Sequence, residues 1–276
     1  MTYSEPRRLI PAVEQAVAAI AVHDADVAAP LTASAFRMAD DSSNGLTTGI
    51  AIASVPLALA ALASDAYGQG KALPGIVVDV LNFALTLEFL EAEFYTRGLG
   101  TSGLIPADMR EVFDQIRKHE DAHVALLQRV LGGRAVSKPG FDFTAGGTFS
   151  DVFSNAQTFA ALAQAFEDTG VRAYKGQAAN LMGQKMILRT ALQIHSVEAR
   201  HACQVRRMRQ QKGWIEGSSR GTLPAAAEGV YKGEGNRFQF ILAQSSDKIS
   251  WTSAFDETLT KSQVLGIVAP FLAGGR

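Results

Sequence analysis

The chain has 276 residues, of which 47% are hydrophobic, and its 26 basic residues nearly balance its 27 acidic ones. This length and composition suit one large domain or one domain with extensions. The even charge argues against a nucleic-acid partner and against an acidic disordered tail. The single cysteine, Cys203, excludes an intrachain disulfide framework and cannot form a thiolate zinc site alone.

Residues 1–76 are predicted to form an N-terminal helical extension, with a helical pattern over 11–29 and an apolar run over 46–63. The apolar run has the length of a signal-peptide core and ends in small residues that resemble a cleavage site. It begins far from the N-terminus, however, and its flank, Asp40-Asp41, is acidic rather than basic. These features favour a structural segment that is retained in the protein.

The apolar run over 46–63 also bears on location and assembly. Pro56 and several small residues make the run a poor membrane span, so no integral membrane span is predicted. We predict a cytoplasmic protein, with export through a degenerate signal segment as the alternative. The surplus of apolar surface in this run favours a homo-oligomer, which we take to be a dimer.

Residues 77–212 are strongly helical in pattern, and residues 213–276 are predicted to be a C-terminal extension that is mostly loop. This extension closes with a short helix from Thr260, where Thr260-x-x-Gln263 fits a capping box. The four helices predicted in the middle segment run over 77–96, from the start signal Asp108-x-x-Glu111 to Gly132-Gly133, over 151–181 and over 184–211.

A long loop over 133–150 separates the second and third predicted helices. A twenty-residue helix is about 30 Å long, whereas eighteen extended residues reach roughly 60 Å. The loop is therefore long enough to run the whole length of a helical bundle. We predict an all-α four-helix bundle with one long crossover rather than simple up-and-down connections.

The middle segment contains the motif Glu-x-x-His twice, as Glu120-x-x-His123 and Glu198-x-x-His201. Residues three apart lie on one face of a helix, so each motif presents a carboxylate and an imidazole together. A lone glutamate precedes each motif, thirty-two residues before Glu120 and thirty-one before Glu198. This spacing indicates a helical hairpin that is present twice and is related by a pseudo-two-fold axis.

Four carboxylates and two imidazoles in one bundle interior form the ligand set of a dinuclear iron or manganese site. The carboxylates offset the four positive charges of two divalent ions, which leaves a buried cluster close to neutral. Oxygen and imidazole donors suit both metals, and the absence of thiolates argues against copper(I) or an iron–sulfur cluster. We predict two ions and prefer iron over manganese.

This pattern resembles the di-metal signature of the ferritin-like superfamily, which includes bacterioferritins and rubrerythrins. The local sequences over 85–95 and 254–271 are similar to those of bacterial ferritin-like proteins, some of which are labelled desiccation-related. The resemblance covers 77–272 and implies a ferritin-like four-helix bundle.

The resemblance also implies a role for each ligand. Glu120 and Glu198 would bridge the two metals, one imidazole would bind each metal, and the two lone glutamates would be terminal ligands. The predicted metal ligands are Glu88, Glu120, His123, Glu167, Glu198 and His201.

Two functions follow as hypotheses. The first is an oxidoreductase that reacts with peroxide, O2 or ferrous iron in stress protection, because two adjacent metals can deliver two electrons together. Ferroxidase, peroxidase and catalase-like reactions all fit, and no catalytic side chain is assigned. The second is a non-catalytic structural or desiccation-stress protein on the same scaffold. The expected partner is a small-molecule oxidant or a metal ion.

Five further residues lie close to the motifs in sequence. Tyr95 and Tyr174 follow their lone glutamates by two helical turns, so a redox or hydrogen-bonding role competes with an ordinary core position. His195 fits either a hydrogen-bond partner of a ligand or a residue on the helix surface. His119 is predicted to point away from the ligand face. Glu91 is interpreted as a salt-bridge residue or a spare ligand.

Overall fold

The computed structural model of the protein describes residues 73–236 and 252–273, and the regular secondary structure of these residues is helical. No β-strand occurs in these two ranges, where Phe141 and Leu272 form an isolated bridge. The predicted all-α fold is confirmed. The α-helices are α1 (Gly75–Gly100), α2 (Ala107–Leu131), α3 (Ala156–Gln177), α4 (Lys185–Met208), α5 (Glu228–Tyr231) and α6 (Lys261–Val268).

The two predicted N-terminal features, the helical pattern over 11–29 and the apolar run over 46–63, lie outside the described residues. The homodimer and the cytoplasmic location therefore stay predictions, as do the domain boundaries after residues 76 and 212. Among the helices that the structure does describe, none is long and apolar enough to cross a membrane.

The start of α2 differs from its prediction. The helix begins at Ala107, directly after Pro106, whose φ of −55° suits entry into a helix. Asp108 lies inside the first turn, where its charge interacts favourably with the helix dipole, and no side chain caps this end. The predicted capping role of Asp108 is therefore wrong. The end of the helix is as predicted, at Gly132 with a φ of +55°.

Helix α3 begins later than the predicted residue 151. Its N-cap is Asn155, whose side-chain oxygen accepts a hydrogen bond of 2.9 Å from the backbone N–H of Gln157. Asp151 lies in the preceding turn, and its carboxylate accepts hydrogen bonds from the Asn155 amide and the Thr158 hydroxyl. The aspartate thus supports the cap instead of forming it. At α6, by contrast, the predicted capping box is confirmed.

The segment between α2 and α3 runs alongside α1 from its beginning to its end. Its successive side chains and backbone groups contact residues progressively further along α1, and α3 then starts beside Gly98, where any Cβ would collide with the Phe159 ring. The predicted long crossover is therefore confirmed. The contacts are Arg134 with Leu73, Val136 with Asn82, Lys138 with Glu93 and Phe143 with Arg97.

An aromatic core fills the bundle beneath this crossover. The Phe94 ring stacks on Phe159 at a centroid distance of 4.5 Å and contacts Phe143 and Phe166 edge to face. Each fully buried phenylalanine contributes about 1.5–3 kcal/mol relative to an exposed one. Phe271, from the C-terminal segment, packs on Phe166 at 5.0 Å. The C-terminal segment therefore closes the bundle on the crossover side.

Candidate metal centre

The six predicted ligands lie on the middle turns of the four long helices and point into one buried cluster. Their ligand atoms form two groups, and within each group all of these atoms lie within 4.8 Å of one another. Glu120 and Glu198 belong to both groups. The first group contains Glu88, Glu120, His123 and Glu198, and the second contains Glu120, Glu167, Glu198 and His201.

In the first group, all three carboxylates lie close to Nδ1 of His123. It lies 3.1 Å from Glu88 Oε2, 3.1 Å from Glu120 Oε2 and 3.2 Å from Glu198 Oε1. Glu88 and Glu120 come from α1 and α2, which form one helical hairpin, whereas Glu198 comes from α4. Both hairpins thus contribute to this position.

The second group repeats this arrangement around Nδ1 of His201. This nitrogen lies 2.8 Å from Glu120 Oε1, 3.3 Å from Glu167 Oε2 and 3.8 Å from Glu198 Oε2. Each imidazole therefore faces the lone glutamate of its own hairpin, and the two motif glutamates face both imidazoles. The pseudo-two-fold arrangement expected from the sequence repeat is present in the geometry.

Among the described residues, the cluster contains several buried polar atoms that have no hydrogen-bond partner. Leaving such an atom without a partner costs about 1–3 kcal/mol, so their concentration at one point fits a site built for cations. Carboxylate oxygen and imidazole nitrogen are ligands that suit iron and manganese. The residues present therefore fit a pair of such ions. Within the described residues, the atoms without a hydrogen-bond partner here are Glu120 Oε1, Glu167 Oε2, both carboxylate oxygens of Glu198, and His201 Nδ1.

The electrostatics of the cluster also fit a site for cations. Burial, together with the charge of Glu198, raises the pKa of Glu120 well above its usual value. Burial likewise raises the pKa of Glu167, to about 7. For Glu198 burial acts in the same direction, but the adjacent imidazoles of His123 and His201 outweigh it and hold the pKa below its usual range. Of the two glutamates that belong to both groups, Glu198 thus keeps its charge, whereas Glu120 tends to hold a proton.

The two tyrosines bind the lone glutamates in a crossed pattern. The hydroxyl of Tyr95 donates to Oε1 of Glu167, and the hydroxyl of Tyr174 donates to Oε1 of Glu88. The bonds cross because α1 and α3 run antiparallel, so each tyrosine lies beside the glutamate of the other helix. Burial and the neighbouring carboxylates raise the pKa of both phenols, which keeps them as donors. Of the two interpretations, the hydrogen-bonding role is the one that the structure shows.

His119 does not point away from the cluster, so that prediction is wrong. Its Nδ1 lies 2.8 Å from Nε2 of His201, on the side of that ring opposite the carboxylates. The side of α2 next to Glu120 faces α4 rather than solvent, which could not be read from α2 alone. His195 is half-buried, and among the described residues its buried Nε2 has no hydrogen-bond partner. The structure therefore gives it no bond to the six residues.

Glu91 is a seventh acidic residue at the cluster. It is 3% exposed, and the absence of a side chain at Gly170 leaves room for it, since a Cβ there would lie 3.3 Å from Glu91 Oε1 and 3.4 Å from Glu198 Oε2. Among the described residues it forms no ion pair, and the charges that act on it are those of neighbouring glutamates, so the salt-bridge interpretation finds no support there. The spacing Glu88-x-x-Glu91, which places both on one helix face, was the available signal.

In the metal-free protein, Glu91→Gln is expected to increase the free energy of unfolding by roughly 1–2 kcal/mol at pH 8. Burial, and then the charges of neighbouring glutamates, raise the folded-state pKa of Glu91 well above 4.5. Its contribution to stability is therefore present below the unfolded pKa and is lost as the pH rises through the folded pKa. Urea unfolding at pH 5 and pH 8 measures the difference, which should grow with pH.

Glu93→Gln is the matched control on the same helix. The Lys138 side chain lowers the pKa of Glu93, so its contribution is present above the unfolded pKa and is lost on acidification. This variant should lose a small amount of stability at pH 8, because the residue is partly exposed. A Glu91→Gln variant that is less stable than the parent protein at pH 8 would contradict the assignment.

Comparison with known proteins agrees with this geometry. A family model described as a ferritin-like domain matches residues 76–211, which span the four long helices and all six predicted ligands. A comparison with curated proteins finds no match. The helical bundle, its long crossover and the matched domain together show that the protein belongs to the ferritin-like superfamily.

Proposed function

We propose that the protein is an oxidoreductase that holds two iron or manganese ions and reacts with peroxide, O2 or ferrous iron in stress protection. The observation that carries this proposal is the pair of overlapping ligand groups that share Glu120 and Glu198. Two metal positions with two common carboxylates suit ions held side by side. When bound, such a pair supplies two electrons together to an oxidant.

The distances support the proposed ligand roles. Glu88 and His123 would hold one ion, Glu167 and His201 would hold the other, and the shared glutamates would bridge them. The tyrosine hydroxyls fix one oxygen of each lone glutamate, which leaves its second oxygen directed at an imidazole nitrogen. Burial of the cluster excludes bulk water and so strengthens the attraction between carboxylates and cations.

The proposal is tested first by metal analysis of untagged protein by plasma mass spectrometry. We expect about two irons or manganese per chain, since the four ligand helices supply two positions. The double variant Glu120→Ala, Glu198→Ala removes a ligand from both positions and should retain almost no metal. A matched control is Glu111→Ala, Glu228→Ala, because both residues are exposed glutamates. It should keep the full metal content.

The second test separates the two functions on this scaffold. The metal-loaded protein is mixed with hydrogen peroxide or with O2 and ferrous iron, and consumption of each oxidant is followed against the double variant. Consumption by the loaded protein alone supports the oxidoreductase. Two bound metals without any consumption would favour the non-catalytic stress protein. Little metal even after anaerobic loading with iron(II) and manganese(II) would contradict the metal centre itself.

A further inference from the structure

His201 makes contacts through both of its ring nitrogens. Nδ1 faces the carboxylates of the cluster, at 2.8 Å from Glu120 Oε1, while Nε2 lies 2.8 Å from Nδ1 of His119. The planes of the two imidazoles are within 11° of parallel. On its outer side, Nε2 of His119 lies 2.7 Å from the amide nitrogen of Gln115, one turn earlier on α2. A chain of polar groups thus leads from the cluster to the surface through His119.

Among the described residues, the other half of the cluster has no equivalent of this chain. His119 directly precedes Glu120, whereas the residue that directly precedes Glu198 in the second motif is Val197. Nδ1 of His123 carries all the hydrogen bonds that this imidazole makes to described residues. The two halves of the pseudo-two-fold site therefore have equivalent carboxylates. They differ in the residue that lies on the side of each imidazole facing away from the carboxylates.

A metal-binding imidazole has its lone pair on one nitrogen and a hydrogen on the other. Metal binding at Nδ1 of His201 requires the hydrogen on Nε2, where Nδ1 of His119 is placed to accept it. The hydrogen of His119 is then on Nε2, and a half-turn of the Gln115 side-chain amide presents its oxygen to accept that hydrogen. Such a partner fixes both the tautomer and the orientation of the ligating ring, and its loss typically lowers metal affinity by about 10–100-fold. His123 must adopt its binding state without this support.

We propose that His119 is a positioning residue that makes the His201 metal position tighter than the His123 position, so that the two ions bind in sequence. This inference rests on the proposed metal centre. His119 is not itself a ligand, because its Nδ1 is directed at the His201 ring and it belongs to neither ligand group. The protein therefore distinguishes two positions that its carboxylates alone would make nearly equal.

The test is an anaerobic titration of the metal-free protein with cobalt(II) alone, followed by visible absorption and calorimetry. We expect two resolved binding steps in the parent protein. His119→Leu should weaken the tighter step by about 10–100-fold and leave the weaker one unchanged. His119→Asn should largely restore it, because the Asn oxygen takes nearly the place of Nδ1. Two unchanged steps, or two equally weakened ones, would overturn the proposal.

Two controls make the test specific. In a His201→Ala background, His119→Leu should have no further effect on cobalt binding, since its action passes through that ring. His195→Leu, the same substitution at a half-buried histidine of α4, should leave both steps in place. An additive loss in the first control would overturn the positioning role. No cobalt binding by the parent protein would instead contradict the proposed metal centre, so the two failures are distinguishable.

Discussion

Loading the metal-free protein with manganese(II) is expected to raise its free energy of unfolding by about 4 kcal/mol for each position filled, at a free-metal concentration a thousand times the dissociation constant. The folded chain presents two groups of buried ligands that are already assembled, whereas the unfolded chain presents them far apart. Chemical unfolding with and without manganese(II) measures the increase. The matched exposed variant Glu111→Ala, Glu228→Ala should show the same increase as the parent protein.

The increase in the free energy of unfolding on loading with manganese(II) should also depend on pH, in a direction that the pKa shifts define. Metal binding requires the carboxylates to be charged and the imidazoles to offer a lone pair. Burial raises the pKa of Glu167 to about 7, and adjacent carboxylates overcome the effect of burial and raise that of His201. Protons therefore compete with metal, and the stabilisation should be larger at pH 8 than at pH 6. An equal gain in the Glu120→Ala, Glu198→Ala variant would show that the metal binds elsewhere.

The ligand set could be predicted from the sequence because each pair follows from the local period of one helix. Glu120 and His123 lie three residues apart, and the structure places both in the same cluster. The crossed bonds of Tyr95 and Tyr174 were not predictable in this way. They depend on how α1 lies against α3, which is a tertiary contact between residues more than seventy positions apart. His119 was missed for the same reason.

Helix boundaries show a similar limit. The crossover was predictable because its length alone decides what it can span, but the start of α3 was not. Asp151 and Asn155 are both good N-cap residues, and the local sequence favours neither. Three-dimensional context decides between them, since the Asp151 carboxylate bonds the Asn155 amide and the Thr158 hydroxyl. Where two nearby residues are equally suited to be the N-cap of a helix, contacts that form only in the folded chain decide between them.

A second large effect is expected at Arg172, which belongs to no motif recognised in the sequence. This side chain lies on α3 and is fully buried, and its Nε lies 2.7 Å from Glu234 Oε1. Its guanidinium also donates to three backbone carbonyls of the C-terminal extension, at 2.8 Å for Glu257 and 2.9 Å for Lys232, with the third at Val230. Arg172 therefore fastens both described parts of that extension to the bundle.

Arg172→Met is expected to lower the free energy of unfolding by about 3–5 kcal/mol, because it leaves the buried Glu234 carboxylate without its cationic partner and three carbonyls without the guanidinium donor. Urea unfolding measures the loss, and limited proteolysis should show faster cleavage within residues 213–236. Arg110→Met is the control, since Arg110 lies at an exposed position on α2 and also donates to a backbone carbonyl. That substitution should cost less than about 1 kcal/mol.

The double variant Arg172→Met, Glu234→Met should be clearly more stable than Arg172→Met alone. Burial raises the pKa of Glu234 to about 7 even though Arg172 is adjacent, so the cost of desolvation exceeds the attraction between the two charges. Replacing both charges by apolar side chains removes that cost together with the attraction. A double variant as unstable as the single one would show that the carbonyl bonds of Arg172, rather than its pairing with Glu234, hold the C-terminal extension on the bundle.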